Sequence, residues 1–372
     1  MHSLPDFPWD RLAPYKHAAA QHPGGLVDLS VGTPVDPTPQ VVQRAIRGAV
    51  NAPGYPVTYG TPRLREAAAG WLRRRLGVTG ADPDAVLPLI GSKEFVAWLP
   101  TMLGAGQGDV VAFPELAYPT YDVGARLAGA TPMATDGLFG LGPITPKLVW
   151  LNSPSNPTGQ VLPAEHLRKT VAWARERGVL LVNDECYIEL GWSNAPEDRP
   201  ISILHPDVCE GSHEGLLAVH SLSKRSNLAG YRAGFVTGDV AVVKRLLEIR
   251  RHAGMMVPGP VQAAMIAALD DDAHADEQRA RYARRRAALR KALTAYGFRI
   301  DHSEAALYLW ATLDEPCWDT VGRLAELGIC VAPGEFYGAK GGQHVRVAFT
   351  ATDEDTAAAV RRLTPQAAPE PA

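Results

Sequence analysis

The sequence is poor in cysteine, in lysine and in long apolar runs, and each shortage excludes something. Its 372 residues hold four cysteines. These are Cys186, Cys209, Cys317 and Cys330, far apart and without a C-x-x-C pair, which argues against a disulfide framework or a zinc site. They are expected to be reduced and mostly buried. Eleven histidines are scattered without ligand spacing, so no metal is expected. No stretch approaches a membrane span, and residues 1–10 carry neither a basic segment leading into an apolar run nor a small-residue cleavage site. The expectation is a cytoplasmic protein with no membrane contact. A net charge of −3 and a pI near 6.4 give no electrostatic case for nucleic acid. The Arg-rich stretch Arg279 to Arg290 reads as a solvated helix face balanced by Asp270, Asp271, Asp272, Asp276 and Glu277. No Walker or G-x-G-x-x-G phosphate loop follows a strand pattern, and there is no internal repeat.

What is present is a regular alternation. From about residue 62, helical patterns (62–75, 92–103, 163–177) alternate with short apolar extended runs (86–90, 110–113, 148–151, 179–182, 216–220, 234–237). Runs apolar on both faces belong inside a parallel sheet covered by helices. Near residue 267 the composition changes: an acidic stretch, a long Arg/Ala helix, then 308–311 and 345–349 as antiparallel strands. The fold class is therefore α/β, a large domain with a mostly parallel sheet sandwiched by helices plus a smaller α+β domain. The expected division is an N-terminal arm over 1–40 joining the small domain, a large domain over 41–266, and the small domain over 267–372. Residues 23–39, rich in Pro and Gly, read as an irregular arm, and 367–372 as a disordered tail.

The chain has only eight lysines, and one stands apart. Lys224 follows the apolar run Leu216-Leu217-Ala218-Val219, lies between hydroxyls at Ser221, Ser223 and Ser226, and precedes Gly230-Tyr231-Arg232-Ala233-Gly234. A solvated strand-end lysine is the ordinary fate of that residue type. Here, however, a poorly hydrated amine favours the neutral form that attacks carbonyls, and Arg232 can grip a phosphate with two parallel hydrogen bonds. An imine-forming lysine beside a phosphate clamp points to pyridoxal phosphate. Other polar clusters also follow strand patterns, where ligand loops collect. Asp184 in Asn183-Asp184-Glu185-Cys186-Tyr187 could pair with a protonated pyridine nitrogen, or simply be a loop aspartate. Asn156 and Tyr187 could donate to a phenolic oxygen, although Asn156 also sits in an ordinary turn sequence. Gly91-Ser92-Lys93 opens a helix whose free amides attract an anion. Tyr118 could stack on a planar ring or fill core.

Together these residues resemble the fold type I aminotransferases, the aspartate aminotransferase-like superfamily, over nearly the whole chain. The specific part is S-x-S-K-x5-G-x-R-x-G at Ser221 to Gly234. The resemblance implies that Lys224 forms the Schiff base with pyridoxal phosphate, and that Arg232, Ser221, Ser223 and the turn Gly91-Ser92-Lys93 bind the phosphate. It likewise implies Asp184 at the pyridine nitrogen, Asn156 and Tyr187 at the phenolic oxygen and Tyr118 as the stacking ring. Tyr55 matches a tyrosine that reaches the phosphate of a neighbouring subunit, which implies a homodimer with shared sites. Arg346, on a strand pattern where an exposed edge arginine is the plain alternative, matches the residue that clasps the substrate α-carboxylate, and Gly32 a glycine whose backbone closes over the substrate. A narrower resemblance, carried by 28–37, 114–130, 183–187, 252–264 and 331–338, is to actinobacterial succinyldiaminopimelate aminotransferases. It implies glutamate as amino donor and N-succinyl-2-amino-6-ketopimelate as acceptor, in lysine and diaminopimelate synthesis. Arg225, Arg251 and His252 are the candidates for its distal groups. The alternatives are an aminotransferase for another keto acid (aspartate, prephenate or aromatic) and a C–S lyase. An effector module of a transcription regulator would need more residues ahead of Gly32.

Overall fold

The apolar runs between the helical stretches become the strands of one large sheet in the computed structural model, which describes residues 4–193, 195 and 199–364. The tail 367–372 lies outside the described residues. In chain order the strands are β1 (Val27–Asp28), β2 (Val86–Ile90), β3 (Val110–Phe113), β4 (Thr131–Ala134), β5 (Leu148–Asn152), β6 (Leu180–Asp184), β7 (Leu216–Ser221), β8 (Ala233–Gly238), β9 (Arg299–Asp301), β10 (Tyr308–Thr312), β11 (Ile329–Cys330), β12 (Ala332–Pro333) and β13 (Val345–Ala348). The seven-stranded sheet has the order β2-β8-β7-β6-β5-β3-β4, with β8 alone running against the rest. Only eleven residues separate β7 from β8, too few for the helical crossover that a parallel return requires. The reversal matters for the site. It places the start of β8, and Arg232 before it, at the edge where β5, β6 and β7 end.

Strands β7 and β8 are buried along their whole length, as central strands covered on both faces must be. Alternate residues enter opposite cores: Leu216 and Ala218 pack with Leu72, Leu181 and Leu204, while Leu217 and Val219 pack with Phe95, Trp150 and Val182. The α/β architecture expected from the alternation is the one observed. A separate core gathers Leu309, Ala311, Val345 and Val347 from an antiparallel sheet ordered β12-β13-β10-β9. Leu12, Val27 and Leu29 from the N-terminal segment join this core, and β1 pairs with β11 in parallel.

The Arg-rich helix departs from expectation. It spans Ala273–Tyr296, and Arg285 on it is 4% exposed, paired with Asp36 at 2.7 Å and Asp353 at 2.6 Å. Arg279, Arg284 and Arg290 are exposed as expected, whereas the side bearing Arg285 packs on the arm and on the helix Asp353–Leu363. Of the acids expected to balance it, Glu277 pairs with Arg281, whereas Asp270, Asp272 and Asp276 pair with Arg63, Arg74 and Arg75 of the helix Pro62–Leu76. Among the described residues no helix is long and apolar enough to cross a membrane, and no group of His, Cys, Asp or Glu is arranged to hold a metal ion. The four cysteines are free thiols, three of them buried and Cys186 half-buried.

Candidate active site

A cavity of about 460 Å³ opens where β5, β6 and β7 end and β8 begins. A larger crevice of about 740 Å³ passes Arg75, Glu189 and Asp276, but those charges satisfy one another. The smaller cavity is different in kind, because Lys224, Arg232 and Arg346, which line it, form no ion pair among the described residues.

Lys224 sits just past β7, in the short helix Leu222–Arg225 capped by Ser221, whose Oγ accepts from the Ser223 N–H at 3.2 Å. Both serines line the cavity. The Lys224 amine donates to the Gly32 carbonyl, and burial lowers its proton affinity, with Arg346 and Arg232 adding to that effect against Tyr308 and Cys186. Gly32 lies so close to Tyr308 that a Cβ there would fall within 3 Å of the phenol ring. Arg232 is exposed, holds the Ala229 carbonyl at 2.8 Å and rests against Gly91. Gly91 has φ +74°, and any side chain on it would run into the guanidinium. Ser92 and Lys93 begin the helix Ser92–Met102 and line the cavity beside it.

Asp184 ends β6 and is buried. Its carboxylate accepts from the Tyr121 hydroxyl at 2.9 Å and from the Cys186 N–H at 3.2 Å. Burial pushes its proton affinity up, and those two hydrogen bonds oppose the push. Asn156 is fixed by its N–H to Asn152 Oδ1 at 2.8 Å and accepts from Arg346 Nη1 at 2.8 Å. Arg346 also donates to the Ser30 carbonyl at 2.8 Å and faces the rings of Tyr308 and Tyr337 at 3.9 and 4.8 Å. It is 3% exposed and sits on β13 between β12 and β10, so it is no edge arginine. Tyr187 shares a hydrogen bond with Tyr308 at 2.9 Å, and burial raises its phenol well above the ordinary range. Tyr118 lines the same cavity and meets Tyr121 edge-on at 6.1 Å. Tyr55 stands apart from all of these, 95% exposed on the surface.

The sequence reading passed over Tyr121, Tyr308 and Asn152. The signal for Tyr121 was its place three residues after Tyr118. Tyr308 stands two residues from Trp310, which is opposite Arg346 across the β10–β13 pair, a diagonal that brings long side chains together.

Among the described residues Lys224, Arg232 and Arg346 are paired with no carboxylate; they donate to carbonyl and amide oxygens. Buried cations are ordinarily paired, so at Lys224 and Arg346 this arrangement is built for a ligand that brings the anions. Arg346 even keeps a buried Nε without a partner.

Residues 25–363 match the family described as aminotransferase class I and II. The chain is 64% identical to 4-dedimethylamino-4-oxo-anhydrotetracycline transaminase OxyQ of Streptomyces rimosus, covering 98% of this chain and 100% of that protein. It is 32% identical to LL-diaminopimelate aminotransferase of Aquifex aeolicus, covering 97% and 96%. Among solved structures, an aminotransferase from Mycobacterium tuberculosis superposes with a TM-score of 0.85 at 29% identity, covering 97% and 96%. The substrate-bound BacF structure from Bacillus subtilis gives 0.84 at 27%, covering 97% and 94%. The donor set fits the cofactor of such enzymes, since a buried amine of lowered proton affinity, an arginine cradled on a bare glycine and a buried carboxylate suit an aldehyde, a phosphate and a pyridine nitrogen. The chain belongs to the class I and II aminotransferases, and its cofactor is pyridoxal phosphate.

Proposed function

We propose that this enzyme transfers the amino group of glutamate to N-succinyl-2-amino-6-ketopimelate, in the synthesis of diaminopimelate and lysine, and that it works in the cytoplasm as a homodimer. The observation that carries the reading is Arg346, a buried guanidinium without a carboxylate partner. Amino donor and keto-acid acceptor both bring an α-carboxylate, which two parallel hydrogen bonds would hold. The resemblance of the segments quoted above supports the acceptor, and the relatives named for LL-diaminopimelate support diaminopimelate chemistry without its succinyl group. A second reading is favoured by the likeness to OxyQ: a polycyclic ketone as acceptor. Such a ketone lacks the α-carboxylate and would leave Arg346 buried and unpaired for half of every turnover, so the keto acid is preferred.

In this reading Lys224 holds the cofactor, and pyridoxal phosphate supplies an aldehyde for the amino group and a protonated ring that takes up electrons from the substrate Cα. Arg232, the hydroxyls of Ser221 and Ser223 and the amides of the turn Gly91-Ser92-Lys93 bind the phosphate at the helix start. Asp184, oriented by the Tyr121 hydroxyl and the Cys186 N–H, would pair with the pyridine nitrogen and keep it protonated. Asn156 and Tyr187 donate to the phenolic oxygen, and Tyr118 covers the ring. Once displaced, Lys224 moves the proton at the substrate Cα, where a tethered neutral amine is already in place. Gly32 covers the substrate from the arm. The exposure of Tyr55, beside exposed Val50 and Val57, suits a surface completed by a second copy of the chain.

Gly91→Ala tests the phosphate cradle. The new Cβ displaces the Arg232 guanidinium at a positive φ that alanine resists, so the apoenzyme should bind pyridoxal phosphate about tenfold more weakly, measured by fluorescence titration. Unchanged affinity would remove Arg232 from the phosphate site.

The function itself is tested by supplying purified enzyme with glutamate and each acceptor in turn. The expected result is stoichiometric 2-oxoglutarate with the succinylated keto acid and little with plain aliphatic keto acids. Preference for the oxo-anhydrotetracycline, for prephenate or for oxaloacetate overturns the acceptor. Pyruvate and ammonia from cystathionine would make the enzyme a lyase.

A further inference from the structure

Three residues adjacent in the chain to cofactor-facing groups turn away from the cavity and meet behind it. Asp184, Ser221 and Lys224 line the active-site cavity; Glu185, His220 and Arg225 line a second, small cavity of about 10 Å³. All three are buried, at 1%, 2% and 5% exposure. Glu185 Oε1 is fully engaged, accepting from Asn183 Nδ2 at 3.0 Å, Ser202 Oγ at 3.1 Å and the Ile203 N–H at 2.7 Å. Its Oε2 faces His220 Nε2 at 3.8 Å, beyond hydrogen-bond reach, and neither atom has a partner among the described residues. Arg225 is held by Glu189, by Ser226 Oγ at 3.1 Å and by the Ala268 carbonyl at 2.7 Å, yet its Nη2 is also without a partner. Trp71 and Phe235 pack against the imidazole at 5.1 and 4.9 Å, and His220 Nδ1 and Trp71 Nε1 are likewise without a partner among the described residues.

Buried polar atoms of this kind are satisfied in folded proteins, by ordered water where no side chain reaches, and a cavity of this size holds one. We propose that the cavity binds a single water joining Glu185, His220 and Arg225, and that this water-linked cluster is the positioning support of Asp184, Ser221 and Lys224. Arg225 Nη2 donates to the water oxygen, and the water donates to Glu185 Oε2 and to His220 Nε2. Burial keeps the imidazole neutral by lowering its pKa to about 3, which leaves Nε2 free to accept. The Glu185 carboxyl is pushed up to about 7 by burial, with Asp184 beside it acting in the same sense. The cluster ties the end of β6, the end of β7 and the helix bearing Lys224 to one point, and catalytic groups lose function when displaced by fractions of an ångström.

The inference depends on Lys224 carrying the cofactor and not on which keto acid is accepted. Its test combines a high-resolution crystal structure of the cofactor-bound enzyme with the variants His220→Phe and His220→Gln. The crystal should show one ordered water within hydrogen-bond distance of the three atoms; a dry cavity overturns the water. His220→Phe should move the pH midpoint of the bound cofactor's visible absorbance by about 0.5 unit or more and lower kcat/KM about tenfold. His220→Gln, which keeps a polar group toward the water, should restore the midpoint to within about 0.2 unit of the parent. A His220→Phe enzyme that loses thermal stability but keeps the parent midpoint overturns the positioning role. If that variant does not fold, Glu185→Gln is read on the same midpoint with the same consequences. Borohydride trapping on the parent, with the label mapped to Lys224, separates these outcomes from a failure of the cofactor assignment.

Discussion

Lys224→Ala should lower transamination by about ten-thousandfold while the protein still folds and still binds pyridoxal phosphate. Two separate losses add here. The variant has no amine to join the cofactor covalently, and it has no base at the substrate Cα. In the proposed site the phosphate clamp and Asp184 are untouched by the substitution, so cofactor binding should persist through Arg232, Ser221 and the helix start. Borohydride treatment should fix the cofactor to the parent at residue 224 and to the variant nowhere, as read by peptide mapping. A small exogenous amine should restore part of the rate, because it can enter the space of the deleted side chain and accept the proton. Appreciable turnover by the variant without added amine would refute the assignment. The pH dependence follows from burial. An amine whose proton affinity is lowered from its ordinary 10.5 becomes the free base at a lower pH. The rate at which apoenzyme captures cofactor covalently should therefore rise with pH through a midpoint clearly below 10.5, and a midpoint at that value would mean the lysine is solvated.

Why Lys224 was legible from sequence, and Tyr308 was not, has a physical answer. The lysine announces itself locally: an apolar strand, flanking hydroxyls and a downstream arginine are all within ten residues, and strand-end chemistry in a parallel sheet is a local property. The order of strands in the large sheet is less local: the alternation of helix and apolar run implies a layered, mostly parallel sheet but not the order of its strands. What the alternation does not carry is the reversal of β8, which is dictated by the shortness of the β7–β8 connection and becomes evident only when that length is compared with the need of a crossover. Strands β4 and β9 escaped notice for a different reason. β4 is Thr-Pro-Met-Ala at the sheet edge, where a proline is tolerated because one side of the ladder is unpaired, and β9 is three partly exposed residues. The roles of Tyr121 and Tyr308 rest on partners 63 and 121 residues away, which no local pattern reveals. The same holds for Arg285. Its run of arginines suggests solvent, and only the docking of the arm through Asp36 removes it from water.

Arg346→Ala should raise the KM for glutamate and lower kcat/KM by about a hundredfold or more, equivalent to roughly 3 kcal/mol for loss of a buried charge contact. The wild-type arginine is oriented before substrate arrives: one Nη donates to Asn156, the other to Ser30, and two tyrosine rings flank the guanidinium. A preorganised cation spends little on ordering, so most of its attraction for a carboxylate appears as affinity. Lysine cannot substitute, because a single ammonium cannot satisfy Asn156, Ser30 and a carboxylate in one plane; Arg346→Lys should recover less than a tenth of the parent kcat/KM, on the order of the loss of one of two parallel bonds. The decisive comparison is between amino donors. An amine of similar length lacking the α-carboxylate should react with parent and Arg346→Ala at rates within about threefold of each other, since the arginine has nothing to hold in that substrate. If the variant loses glutamate and the carboxylate-free amine in equal measure, Arg346 supports the fold of β13 and the aromatic cluster around it instead of the substrate, and the argument for a keto acid over a polycyclic ketone goes with it.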